Sequence, residues 1–431
     1  MKEIKVGIIG FGTVGAGVAD TILRNADVIA KRTGVKPVLS GIADLDITTD
    51  RGVDVPEGML TTDGFGLIEK SDVIVELVGG TGIAKKFILT ALEKGKPVVT
   101  ANKALLALHG GELFAAAEAS KADIYYEASV CGGIPIIKSL REGLVANRIN
   151  RIYGIMNGTC NYILTRMERE GADFDPILKD AQALGYAEAE PSLDIDGFDT
   201  AHKTAILSSL AYGEWFGLDP MYIEGIRGIE QQDIKFALEL GYRIKLLGII
   251  KQNQGDVEIR VHPTFVPKDS MLGSIMEVFN GVMVDGDTVG QTLFYGRGAG
   301  RNATASAVVA DIVDVGLNLK FGSHRRVPAF RIGPQFNKLV DINAIESRYY
   351  IRLELLDQPG VVGQIATILG QKGISIANCV QRDGGGKEAG HVPMIILTHK
   401  AIEGKVKEAI AEFEKLPVVV GKVKFFRIED L

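Results

Sequence analysis

The run Ile4 to Ile9 is short and rich in β-branched residues, the pattern of a strand buried in a parallel sheet. It leads at once into Gly10-Phe11-Gly12-Thr13-Val14-Gly15-Ala16-Gly17, after which Val18, Ile22, Leu23 and Ile29 recur at helical spacing. Further strands are predicted at Val38–Ala43, Val73–Leu77, Val98–Thr100 and Asp123–Glu127, with helices between them at Ala84–Glu93 and in an alanine-rich stretch that follows Lys103. Strand–helix alternation with short loops predicts a doubly wound (Rossmann) α/β nucleotide-binding domain over 1–133, completed by a helix near 300–320.

Past Gly143 the rhythm changes. Ile149–Met156 reads as a strand, Asn157-Gly158-Thr159-Cys160-Asn161-Tyr162 as a helix start, and Pro176–Leu184 as a helix. Apolar strands at Ile244–Ile250 and Val257–His262 are expected to build a sheet that closes the substrate site and pairs subunits. Gly296-Arg297-Gly298-Ala299-Gly300 opens the helix that carries Val308, Ile312 and Val313. Together these predict an α+β catalytic and dimerisation domain over 134–320. A poorly periodic connector with Pro328 and Pro334 spans 321–348. In the tail, 349–431, Ile351, Leu353 and Leu355 alternate with charges. Asp357-Gln358-Pro359-Gly360 then reads as a helix start with Pro in the first turn. Helical stripes (Val361, Ile365, Leu369; Val406, Ile410, Phe413) and strands at Ser375–Cys379, Met394–Leu397 and Val418–Phe426 complete a ferredoxin-like βαββαβ unit.

Length agrees: 431 residues allow about three domains. Lys+Arg 48 against Asp+Glu 54 leaves −6, which argues against an extended nucleic-acid surface. Three cysteines in so long a chain exclude a disulfide framework and suit a reducing, cytoplasmic setting. No uncharged apolar run reaches the ~18 residues of a bilayer span. The uncharged stretch Val6–Ala19 is broken by Gly7, Gly10, Gly12, Gly15 and Gly17, unlike the helical core of a leader.

The glycine motif follows a strand and opens a helix, the context a dinucleotide site requires. Gly10 would permit the tight turn, Gly12 would admit a pyrophosphate, and Gly15 would let helix and strand pack closely. Asp44, ending the second strand, is either a ligand for the ribose hydroxyls or an ordinary turn aspartate. The first reading favours NAD and leaves NADP open. Its long offset from the glycines implies an extended first helix. Lys103 and Glu127 fall at carboxyl ends of strands, where ligands bind in such sheets. Downstream, Glu188, Glu190, Asp194, Asp196 and Asp199 run without a basic residue, and Asp199 and Lys203 share a helix face. That segment is either a solvated acidic loop with a surface ion pair or a pocket for a small cationic amine with one lysine set among acids.

Here the sequence resembles the homoserine dehydrogenase family. Ala181 to Lys203, ending Asp196-Gly197-Phe198-Asp199-Thr200-Ala201-His202-Lys203, matches that family's signature, with Glu190 where Asp is usual. Asn157 to Leu164 and Glu127 to Pro135 are similar too, with Cys131 where alanine is common, and the likeness runs over essentially the whole chain. The resemblance implies reversible NAD(P)H-dependent reduction of L-aspartate 4-semialdehyde to L-homoserine, a step of threonine, methionine and isoleucine biosynthesis. It implies Lys203 as proton donor, Lys103 beside nicotinamide and substrate, and Gly185, Glu188 and Asp199 as substrate ligands. Phe11, Thr13, Val14, Thr100 and Gly300 would line the cofactor. Glu127 with the carbonyls of Val130, Gly132 and Ile134 would hold a monovalent cation, sodium. Oxygen ligands suit such a hard ion. A homodimer or homotetramer is expected. The tail resembles an ACT domain, with Asp357, Gly360 and Asn378 as effector contacts and threonine as feedback ligand; a ligand-free dimerisation module is the other reading. Competing readings of the whole chain are another NAD(P)-dependent oxidoreductase of a small amino-acid-derived substrate, a non-enzymatic amino-acid sensor, or chemistry through a Cys131 thiolate.

Overall fold

The computed structural model describes residues 1–324, 326–328, 330, 338–381 and 390–431. Its first half alternates β1 (Lys2–Ile9), α1 (Thr13–Thr33), β2 (Val35–Ala43), β3 (Leu60–Thr61), α2 (Gly64–Lys70), β4 (Val73–Glu76), α3 (Ile83–Glu93), β5 (Val98–Thr100), α4 (Lys103–Ser120) and β6 (Ile124–Tyr125). The strands form a six-stranded sheet, all parallel, in the order β3-β2-β1-β4-β5-β6. Val6, Ile8, Val73, Val75 and Val99 are fully buried, because helices cover both faces. Helix α1 runs 21 residues, which accounts for the long spacing from the glycine turn to Asp44. It stops at Gly34, whose φ of 73° is the left-handed cap glycine tolerates. The last strand is shorter than its apolar run predicts. Glu127 lies instead in a 3-10 turn, because its carboxylate accepts the backbone N–H groups of Ile137 (2.8 Å) and Lys138 (2.7 Å).

The chain then continues through α5 (Ile136–Lys138), β7 (Ile149–Ile155), α6 (Gly158–Glu170), α7 (Phe174–Ala183), α8 (Ser192–Ile195), α9 (Phe198–Tyr212), β8 (Tyr222–Ile223), α10 (Gln231–Glu239), β9 (Tyr242–Asn253), β10 (Asp256–Pro267), β11 (Phe279–Gly286), β12 (Gly290–Arg297) and α11 (Arg301–Phe321). Helix α11 returns to the first sheet and packs on α1. A Cβ on Gly17 would lie 2.7 Å from the Arg301 carbonyl oxygen, so that crossing needs glycine. The predicted strands at 244–250 and 257–262 are the middle of one long hairpin, β9–β10. The hairpin β11–β12 and helix α10 have no counterpart in the sequence reading. Gly286 and Gly290 flank the turn that joins the hairpin's two strands.

The tail is built from β13 (Lys338–Leu339), β14 (Glu346–Leu356), α12 (Val361–Gln371), β15 (Ile376–Gln381), β16 (His391–Thr398), β17 (Ala401–Ile402), α13 (Glu403–Phe413) and β18 (Val419–Ile428). The βαββαβ order is as expected, with the short β17 added. Helix α12 starts at Val361, not within the Pro359 turn, because Gly360 has φ 87° and cannot join a right-handed helix. This sheet is continuous with that of the middle segment, in the order β12-β11-β7-β9-β10-β18-β14-β16-β15. The seam is parallel: Thr264 pairs with Arg427 and Phe265 with Ile428. Phe265 lies 4.6 Å from the Tyr350 ring and 5.4 Å from Phe426, joining the two cores.

Charge also pins the tail. Arg352 on β14 donates to Asp233 on α10 (Nε–Oδ1 2.7 Å), and Asp233 is fully buried. Breaking a buried pair from one side strands the other charge. Arg352→Leu is expected to lower the unfolding free energy by roughly 3–5 kcal/mol, measured by urea titration; a loss under about 1 kcal/mol would mean that the pair behaves as an exposed one.

Candidate active site

The crevice opens at the carboxyl ends of β1, β4 and β5. Each glycine of the first turn has its own reason. Gly10 has φ 107°, and a Cβ there would sit 2.5 Å from the Leu77 carbonyl carbon. Gly12 faces open space, with nothing within 4 Å of a built Cβ, at the N-terminus of α1. Gly15 packs on the Gly10 carbonyl. This leaves room for an anionic pyrophosphate at the N-terminus of α1, where the helix dipole favours negative charge. Phe11 is buried, Thr13 exposed and Val14 half-buried along the same turn. Asp44 accepts the N–H of Phe11 and of Asp46 (2.9 Å), so its carboxylate is pinned at the crevice edge.

Opposite, Thr100 ties the ends of β4 and β5 together: its hydroxyl donates to the buried Glu76 (2.7 Å) and accepts from the Asn102 N–H (3.0 Å). Burial pushes the Glu76 carboxyl up. Asn102 caps α4 by accepting the Leu105 N–H (3.0 Å), which sets Lys103 at the helix start.

The second wall comes from α6 and α9. Asn157 caps α6 through the Cys160 N–H (2.7 Å), and its amide donates to Asp199 (2.8 Å) and Asp194 (2.7 Å). Helix α9 starts behind Gly197 (φ 90°), with Asp199 in its first turn, where a carboxylate suits the helix dipole. Lys203, one turn on, donates to Asp199 Oδ2 (2.7 Å) and to the Met156 carbonyl (2.6 Å). The Lys103 ammonium pairs with the other oxygen, Asp199 Oδ1, from the nucleotide-domain side. Asp199 is 2% exposed and Lys203 7%. The acidic segment is therefore not a solvated loop at Asp199, which is a buried link between two lysines.

Burial pushes Asp199 up, but the charges of Lys203 and Lys103 outweigh it and hold the carboxyl below its usual range. Burial pushes Lys203 down, and Asp199 more than offsets this, leaving the ammonium above its ordinary value. Burial pushes the Cys131 and Cys160 thiols up, so both stay protonated at neutral pH and neither supplies a thiolate.

These groups face a cleft of about 500 Å³ that also takes in Gly185, Glu188 and Gly300 from the sequence expectations. Glu188 and Gly185 form its exposed lip. Asp194 and Glu190 of the acidic run also line it, as do Asn157, Val278 and Asn280, which were not singled out from sequence. Asn157 lay inside a segment already noted; Asn280, on β11, carried no local signal. Glu127 stands apart beside α5. Burial chiefly pushes its carboxyl up to about 7. Cys131 (φ 54°) and Gly132 (φ 46°) are consecutive left-handed residues, and they fold the 130–134 segment against Gly298. In the tail, Asp357 and Gly360 are exposed before α12, and Asn378 is exposed on β15, at the sheet edge.

Residues 10–127 match the family described as "Homoserine dehydrogenase, NAD binding domain", 135–313 match "Homoserine dehydrogenase", and 349–415 match "ACT domain". The chain is 45% identical over 439 residues to homoserine dehydrogenase of Pseudomonas aeruginosa, covering 100% of both chains. The chain belongs to the homoserine dehydrogenase family. Its fold is similar to a crystal structure of homoserine dehydrogenase from Thiobacillus denitrificans, with TM-score 0.93, 45% identity, and coverage of 100% of this chain and 99% of that one. A hyperthermophilic archaeal homoserine dehydrogenase solved in complex with NADPH matches at TM-score 0.62 and 28% identity, over 75% of this chain and 100% of its own. This family member is an NAD(P)-dependent oxidoreductase with a C-terminal ACT domain. Among the described residues no helix is long and apolar enough to cross a membrane.

Asp199 supplies stability present above its usual pKa of 3.8 and lost as pH falls toward its lower folded value. Asp199→Asn is expected to cost roughly 3–5 kcal/mol at pH 7, and the gap should begin to narrow below about pH 4 and shrink progressively as pH falls further. Denaturant titrations across pH measure this; a pH-independent gap would mean that the carboxylate charge is not what holds the lysines.

Proposed function

We propose that reduction of L-aspartate 4-semialdehyde to L-homoserine takes place in this cleft, with Lys203 as the proton donor. The observation that carries the reading is the buried Lys203–Asp199–Lys103 cluster facing the crevice of the glycine turn. When bound, the dinucleotide supplies the hydride. As the carbonyl oxygen gains negative charge, Lys203 offers it an N–H and then the proton. The two ammonium groups supply the positive charge the nascent alkoxide needs, with Asp199 and the neighbouring Asp194 balancing them until the oxygen charge develops. Lys103 adds charge from the nucleotide-domain side, while Glu188 and Asp199 suit the substrate's own ammonium. Gly185 lies at the lip where cofactor and substrate meet.

The residues of the first crevice fit a dinucleotide: Gly10, Gly12 and Gly15 shape the turn, with Phe11, Thr13, Val14, Thr100 and Gly300 beside it. Asp44, held at the crevice edge, favours the ribose hydroxyls of NAD over a 2′-phosphate. Glu127 fits a hard monovalent cation, sodium, with the carbonyls of Val130, Gly132 and Ile134. A buried carboxyl with a raised pKa is one that a bound cation would return to its ionised form. For the tail, feedback by threonine through Asp357, Gly360 and Asn378 rests on their exposure at one end of α12 and on the neighbouring edge strand.

Lys203→Ala is expected to lower kcat by about 10²–10⁴-fold, read from nicotinamide absorbance; undiminished turnover would remove Lys203 as donor. Because the folded lysine sits above its usual 10.5, it stays protonated through neutral pH. Reduction should therefore hold through neutral and mildly alkaline pH and fall only above the ordinary lysine range, while homoserine oxidation, which needs the neutral amine, climbs over the same range. Matching profiles in the two directions would contradict the assignment. Threonine added to the intact chain is expected to slow turnover, and Asn378→Ala to abolish that response. Turnover indifferent to threonine would leave the dehydrogenase reading intact and eliminate the feedback.

A further inference from the structure

A second group of buried charges lies behind the cleft. Arg427, near the end of β18, is 1% exposed. Its guanidinium grips Glu403 at the first residue of α13 with two bonds of 2.6 Å. The remaining nitrogen leaves its own domain and donates to Glu224 Oε2 at 3.0 Å. The Tyr222 ring lies beneath, 4.8 Å away, and its hydroxyl donates to the same Glu224 oxygen (2.8 Å). A planar fork held on three sides is a rigid post.

Glu224 belongs to a strap, residues 222–227. One edge of the strap is bonded to β10: Ile223 pairs with Val261, and the Glu224 N–H donates to the Val261 carbonyl (2.8 Å). The other edge bears on the turn that launches α9. The Ile226 N–H donates to the Ile195 carbonyl (2.8 Å). Gly225 leaves no gap there: a Cβ would stand 2.0 Å from the Ile195 oxygen and 2.4 Å from the Asp196 Cα. On Gly197, the residue before α9, a Cβ would stand 3.2 Å from the Glu224 carbonyl oxygen. Arg227 closes the contact by pairing with the Asp196 carboxylate. Asp199 follows two residues after Gly197, and Lys203 one helical turn later.

We propose that Arg427 is a positioning residue for the catalytic helix: through Glu224 and the strap it sets where α9 begins, and so where Asp199 and Lys203 stand in the cleft. The inference rests on the roles of Lys203 and Asp199 given above. Backbone packed against backbone without slack moves together. An ångström at the reacting groups is worth up to about a hundredfold in rate. The C-terminal domain is then part of the substrate site even with no effector bound.

Glu224→Ala tests this in the full-length enzyme. The Glu224 side chain is 37% exposed, and Glu403 continues to neutralise Arg427, so the variant keeps a folded path. The expected result is a kcat/KM for the semialdehyde about tenfold to a hundredfold lower, with the KM for the nicotinamide cofactor unchanged. Glu224→Gln, which can still accept from Arg427, should recover most of the loss. Unchanged kinetics, equal changes for substrate and cofactor, or a fall in Tm with normal kcat/KM would each overturn the proposal and leave the contact as simple docking. Lys203→Ala run beside it separates the two readings. If that variant retains full turnover, the site assignment fails; if it is inactive while Glu224→Ala is normal, only the positioning role fails.

Discussion

One carboxylate holds the site together. Asp199 receives Lys203 from its own helix and Lys103 from the nucleotide-binding side, and Asn157 donates to it as well. Taking such charges out of water is costly, and the cost is offset only when each finds a partner in good geometry. Removing any one would strand the others. The nucleotide-binding side and helix α9 are thereby tied together at one point. The crevice of the glycine turn and the pocket beside it meet where this single buried ion cluster spans them.

The same economy of buried charge joins the C-terminal domain to the catalytic one. Glu429, just past β18, takes Arg260 (2.7 Å) and Lys251 (2.7 Å) from the long hairpin. Burial pushes its carboxyl up, but those two cations pull it down to about 2. His262 beside them is pushed well down by burial and stays neutral, so it adds no competing charge to Arg260. With Arg352–Asp233 and Arg427–Glu224 these pairs line a seam where two sheets have become one. A domain attached by a mobile tether could bind an effector without moving the site. A domain that shares a sheet and buried ions with β10 cannot shift without disturbing the strands under α9.

What the chain order alone determined were features that depend on near neighbours, though not all of them: helix α10 and the Gly286–Gly290 turn are local too. The strand–turn–helix around Gly10, Gly12 and Gly15 follows from local sterics, and the three glycines stand in three different surroundings. The helix through Asp199 and Lys203, the βαββαβ order of the tail and the need for a long first helix were legible because periodicity and caps are short-range signals. The tertiary structure decided what depends on distant partners. Glu127 left its expected strand because backbone N–H groups ten and eleven residues on were there to take its carboxylate. The β11–β12 hairpin, and with it Asn280 in the cleft, depended on pairing with β7, more than a hundred residues away. The direction of the Lys203 shift was unreadable in sequence, since burial and Asp199 oppose each other and only distances say which prevails. Nor could any pattern along the chain announce that β18 would lie against β10: both strands look complete in their own domains, and the seam exists because Phe265, Tyr350 and Phe426 exclude more water together than apart.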